Sequence, residues 1–146
     1  MAQLQQLIGL AIDTCSACEH PWPAGVCPLC APGPMVASAS PAAPVASDDE
    51  VASAVLRGVA MAPPLVVLRG GEWLLRENAL DLLTACRQSG VRRVEAWTAG
   101  PLLARPRFAQ ALARSGATEV GVVLFGDTAE GHDYVAATPG HFQRTP

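Results

Sequence analysis

The sequence has no lysine, little net charge and no apolar run long enough to cross a bilayer as a helix. All 10 basic residues are arginine, which reads as coding bias rather than function. A net charge of −3 gives no general nucleic-acid footprint. The first ten residues lack a basic n-region and do not read as a signal peptide. The expected location is therefore the reducing cytoplasm, with no membrane partner. Close cysteine pairs in that compartment are more often metal ligands or redox sites than structural disulfides.

With 146 residues, half of them apolar, the chain is long enough for one compact domain spanning 1–146. Residues 4–12 predict a first strand, and a cysteine-rich loop follows at 13–33. Residues 31–46, rich in Pro, Ala and Ser and uncharged, read as an extended flexible linker. Ser47 and Glu50 stand at capping-box spacing and open a helix with Val51, Ala54, Val55 and Val59 on its apolar face. Pro63-Pro64 ends it. Leu65–Leu68 predicts a buried strand and Gly70-Gly71 a sharp turn. A helix is expected at about 77–89, where Ala79, Leu82, Leu83 and Cys86 share one face and Gly90 caps the end. Cys86 then reads as a small core residue. Val91–Trp97 predicts the next strand, about 106–115 a helix beginning near Pro106, Val120–Phe125 a fourth strand, and 128–137 a short helix. Strands alternating with helices predict a parallel α/β sheet, either doubly wound or part of a barrel.

Cys15-Ser-Ala-Cys18 and Cys27-Pro-Leu-Cys30 are two CxxC pairs separated by eight residues. A CxxC turn lets both sulfurs converge on one ion or cluster corner. Thiolates suit zinc and iron–sulfur clusters alike. The double pair therefore points to a metal without choosing between them. His20 reads as a solvated loop residue, with replacement of one cysteine at zinc as the alternative. His132-Asp133 reads as a local hydrogen-bonded pair.

The run Val66-Val67-Leu68-Arg69-Gly70-Gly71-Glu72 resembles the GGEP segment of the radical S-adenosylmethionine (radical SAM) superfamily. Glycine there lets the backbone approach a ligand closely. Val94–Leu103 looks like the family's third strand, which often ends in Thr-Asn-Gly. Val120–Gly126 is similar to its fourth, and His132-Asp133 with Pro139-Gly140-His141-Phe142 to a downstream pattern. The resemblance implies a partial (β/α) barrel of the radical SAM type, with about four parallel strands and crossover helices. It also implies a [4Fe–4S] cluster on Cys27 and Cys30 with Cys18 or Cys15, and S-adenosylmethionine bound with help from Gly70, Gly71, Glu72 and Thr98. The implied activity is generation of a 5′-deoxyadenosyl radical that abstracts hydrogen from a substrate, with an electron donor as partner. The implied polar residues all follow carboxyl ends of strands, where barrel chemistry collects.

The chain departs from the family pattern at several points. CxxC-x8-CxxC stands in place of CxxxCxxC, Trp73 in place of Pro, and Ala99 in place of Asn. Val123 and Phe125 replace the usual Ser and Asp. Four-cysteine ligation would leave no iron open for the cofactor, and fits a zinc-binding interaction module or a degenerate relative instead. Four strands where the family core has six predict a partner chain or self-association that completes the barrel.

Overall fold

The computed structural model describes residues 9–13 and 46–145. The elements are β1 (Leu10–Asp13), α1 (Asp48–Val59), β2 (Leu65–Arg69), a 3-10 turn (Trp73–Leu75) and α2 (Ala79–Gln88). They continue with β3 (Arg93–Thr98), α3 (Pro106–Arg114), β4 (Glu119–Val122), α4 (Ala129–Ala136) and α5 (His141–Arg144).

The strands form one parallel sheet in the order β1-β2-β3-β4. That order chooses between the two architectures the alternation allows. Right-handed crossovers that always step the same way put their helices on one face, as in a barrel segment. A doubly wound sheet must reverse direction, and this one does not. The sheet is not closed: among the described residues β1 and β4 are its edges. A partial α/β barrel is the architecture present.

The core lies between sheet and helices. Val51, Val55 and Val59 of α1, Leu82, Leu83 and Cys86 of α2, and Leu112 of α3 pack on Val66 and Leu68 of β2 and on Val94 and Ala96 of β3. Cys86 is fully buried, as expected of a core residue, and burial pushes its thiol up to about 11. The apolar run at 65–68 predicts a buried strand, yet Leu65 and Val67 are only half-buried. The one-sided crossovers explain the difference, because they cover one face and leave the other toward the barrel axis. That second face carries the register row Val67–Glu95–Glu119. Trp97 also stands there, its indole seated flat on Gly121, where an added Cβ would lie 2.5 Å from the ring.

Helix boundaries follow local chemistry. Ser47 Oγ accepts from the Glu50 N–H at 3.2 Å, and the Glu50 carboxylate accepts from the Ser47 N–H at 2.7 Å. This reciprocal bonding to Ser47 holds the Glu50 carboxyl below its usual range. α2 stops before Gly90, which adopts φ +87°. At the other edge, Gly58 of α1 lets the helix approach β1, for a Cβ there would lie 2.2 Å from Leu10 Cδ2.

One expectation is corrected, and one element goes unseen in the sequence. β4 ends at Val122 rather than Phe125, because the Phe125 N–H turns to the His132 ring and not to a neighbouring strand. The sequence pattern gives no sign of α5, since four residues are too few to show a helical period.

Replacing Ser47 with Ala should cost about 1 kcal/mol of stability. A urea-unfolding midpoint unchanged in Ser47→Ala would show that α1 is fixed by packing alone.

Candidate functional site

Cys15, Cys18, Cys27, Cys30 and His20 lie outside the described residues, as does nearly all of the 31–46 linker. Among the described residues no cluster of three or more His, Cys, Asp or Glu side chains forms a metal site. The ends of the cysteine segment are described. β1 pairs with β2 up to Asp13 opposite Arg69. On the return, the Ala46 carbonyl accepts from Arg76 Nη2 at 2.7 Å. The cysteine segment thus leaves the sheet at the carboxyl end of β1, beside the carboxyl end of β2.

Gly70, Gly71 and Glu72 follow β2. Both glycines are buried and have positive φ, +102° and +56°. L side chains rarely adopt such angles, so this turn is a glycine requirement. Glu72 is only 5% exposed, although a carboxylate in a turn is usually solvated. Its two oxygens lie 2.7 and 2.8 Å from the donating Thr98 hydroxyl, and one accepts the Ala99 N–H at 2.9 Å. Thr98 Oγ1 in turn accepts from the Gly100 N–H at 3.0 Å. Trp73, standing where the family pattern has Pro, is fully buried and donates its indole N–H to the Trp97 carbonyl at 2.8 Å. The structure therefore joins Glu72, Thr98, Ala99 and Gly100 in one hydrogen-bonded rim across the ends of β2 and β3, with Gly70 and Gly71 in the turn directly before Glu72. Within it Glu72 acts on the turn and on β3, as a positioning group.

Arg76 is likewise not the solvated rim cation that is the default for arginine. Its side chain is 6% exposed and pairs with Asp48 at the start of α1.

Beyond β4 the two histidines come together. His132 and His141 are 0% and 1% exposed, with Nε2 of the first 2.8 Å from Nδ1 of the second and the rings stacked at 5.0 Å. His132-Asp133 is therefore not the mutually bonded pair that adjacency predicts. Successive helical residues point in different directions, so His132 turns inward while Asp133 accepts from the N–H groups of Gly140 and Phe142. The Phe142 N–H, and then that of Gly140, hold the Asp133 carboxyl below its ordinary 3.8 against partial desolvation. Sequence reasoning misses the partnership of His132 with His141. Its one sequence signal is the glycine at 140, where φ is +72° and the chain folds α5 back onto α4.

A double-mutant cycle on Glu72→Gln and Thr98→Val should give a coupling of roughly 1–3 kcal/mol in urea unfolding. Additive effects would mean that the rim does not depend on this bond. Because the folded pKa of Asp133 is depressed, its contribution is complete above the ordinary carboxylate range and is lost as pH falls through the lowered value. Asp133→Asn should flatten the dependence of Tm on pH below about 4, and an unchanged slope would assign acid sensitivity elsewhere.

No family model matches the chain. It is 35% identical over 97 residues to the AdoMet-dependent heme synthase of Methanosarcina barkeri, a radical SAM enzyme. The match covers 66% of this chain and 25% of that protein, so the chain spans about a quarter of the length of the curated relative. The glycine turn after β2, the buried Glu72–Thr98 rim, the one-way parallel sheet and this similarity agree: the chain is a divergent or partial relative of the radical S-adenosylmethionine superfamily.

Proposed function

We propose that the chain forms the amino-terminal part of a radical SAM barrel that binds a [4Fe–4S] cluster and S-adenosylmethionine. The observation that carries this reading is the rim itself. Gly70, Gly71, Glu72 and Thr98 meet at the carboxyl ends of β2 and β3, beside the strand from which the cysteine segment departs. The donor chemistry fits: four thiols in two CxxC pairs suit a sulfur-ligated cluster, and Cys27 and Cys30 with Cys18 or Cys15 leave one iron site open. The turn fits as well, since buried left-handed glycines expose backbone to a ligand without a side chain in between.

Gly70 and Gly71 would receive the polar methionine end of the cofactor. Glu72 holds that turn against β3 through Thr98 and Ala99, so the surface is formed before the ligand arrives. When bound, the cluster would supply the one electron that cleaves S-adenosylmethionine into methionine and a 5′-deoxyadenosyl radical, the species that would take a hydrogen atom from the substrate. An external donor replenishes that electron. The two sheet edges among the described residues, β1 and β4, are open to further strands that would close the barrel, and a partner chain or a second copy is one source of them. Among the described residues no helix is long and apolar enough to cross a membrane. The reducing cytoplasm is the location that suits four reduced thiols held ready for a cluster.

Anaerobic reconstitution with iron and sulfide should give a brown protein with about four irons, whose reduced-cluster signal shifts on adding S-adenosylmethionine. A colourless protein holding one tight zinc would replace this reading with a structural zinc module. Gly71→Val should weaken cofactor binding at least tenfold while leaving iron content unchanged. Equal affinity would remove the glycine turn from the binding surface.

A further inference from the structure

Two buried imidazoles and two arginines take no part in the function proposed above. Burying a histidine pair is costly unless its ring nitrogens are matched to partners. Here the matching starts at the end of β4. The Phe125 N–H donates to His132 Nδ1 at 3.2 Å, so neutral His132 carries its proton on Nε2. That proton points to His141 Nδ1, 2.8 Å away. His141 therefore accepts at Nδ1 and keeps its own proton on Nε2.

His141 is in the wall of a cleft of about 310 Å³, together with Glu72, Arg105, Thr138 and Arg144. The cleft gathers residues from the segments after β2, β3 and β4, on the rim where barrel chemistry collects. The Glu72 carboxylate is engaged with Thr98 and Ala99. The Thr138 hydroxyl donates to the Ala136 carbonyl. Among the described residues Arg144 reaches the Pro139 carbonyl, at 3.4 Å, and no carboxylate. Arg105 lies at the start of α3 and is exposed, and it too has no carboxylate partner among the described residues. Two guanidiniums without carboxylate partners at one cleft repel each other and attract an anion, which they are built to grip by paired N–H donors.

We infer that this cleft binds a small ligand through a carboxylate or phosphate group, with Arg105 and Arg144 as its charge partners. His141 is a wall residue, and His132 is the positioning residue that fixes its tautomer. The cleft adjoins the turn proposed for S-adenosylmethionine through Glu72, which is in its wall, but Arg105 and Arg144 are not among the residues proposed for that cofactor. Both arginines are exposed, so removing them tests the ligand without disturbing the core.

The test is titration of the full chain with inorganic phosphate and, separately, citrate at constant ionic strength, followed by amide chemical shifts and repeated with saturating S-adenosylmethionine. Saturable shifts in residues 101–105 and 138–145 are expected, with the tighter of the two anions naming the group. The Arg105→Ala/Arg144→Ala double variant should lose at least tenfold in affinity with Tm unchanged. His132→Gln should change the His141 imidazole nitrogen shifts from those of a single tautomer and weaken the anion several-fold, whereas the arginine variants leave those shifts alone. Absence of saturable shifts, or equal affinity in the double arginine variant, overturns the site. Competitive displacement of the anion by S-adenosylmethionine would assign the cleft to that cofactor's carboxylate and overturn a separate site.

Discussion

A carboxylate removed from water loses its hydration, and the interior accepts it only when other donors replace that hydration. At the end of β2 the donors are the Thr98 hydroxyl and the Ala99 N–H, both from the end of β3. Glu72 therefore ties two neighbouring strands together at the one level of the sheet where backbone pairing has stopped. The Gly70-Gly71 turn is held from its carboxyl side by this bond. From the next residue it is held by Trp73, whose ring fills the core and whose N–H reaches the Trp97 carbonyl. Removing one partner would leave a charge or a donor buried without its match, which costs far more than an exposed bond of the same length. The shape of the rim rests on this arrangement.

Elements with strong periodicity or sharp punctuation are legible in the sequence itself. Ser47 with Glu50, Pro106, and Gly90 each mark a helix end by a local rule, and each works within a few residues. The Gly-Gly turn is legible for the same reason, because its φ values are ones that only glycine adopts readily. Partners that depend on three dimensions are not. Nothing local distinguishes a buried Glu72 from a solvated one, since its partner lies 26 residues on. Adjacency pairs His132 with Asp133, whereas the helix turns them apart and a glycine brings His141 to the first of them. Alternation alone leaves two sheet architectures open, and only the strand order selects the barrel segment.

The sheet is asymmetric in a way that bears on chemistry. One face is sealed by aliphatic side chains of three helices, while the other carries Glu95, Glu119 and Trp97. A scaffold of this kind keeps its rigidity on one side and leaves the opposite side free to carry polar groups. The carboxyl rim sits where the two meet, so groups placed there have a rigid support and an open approach. Function can then change by altering rim residues, such as those after β3 and β4, while the packed side stays the same.

The two anchors of the cysteine segment have a consequence for its spacing. Gly58 seats α1 directly on Leu10, and Arg76 grips the Ala46 carbonyl, so both ends of residues 14–45 are pinned to the same layer of the fold. With its ends fixed, a stretch of chain loses closure entropy only as the logarithm of its length, about 0.6 kcal/mol for each doubling. Residues added between cysteines are then thermodynamically cheap. The eight residues between Cys18 and Cys27 can therefore lengthen or shorten at small cost in closure entropy while the anchors at Leu10 and Ala46 stay as they are.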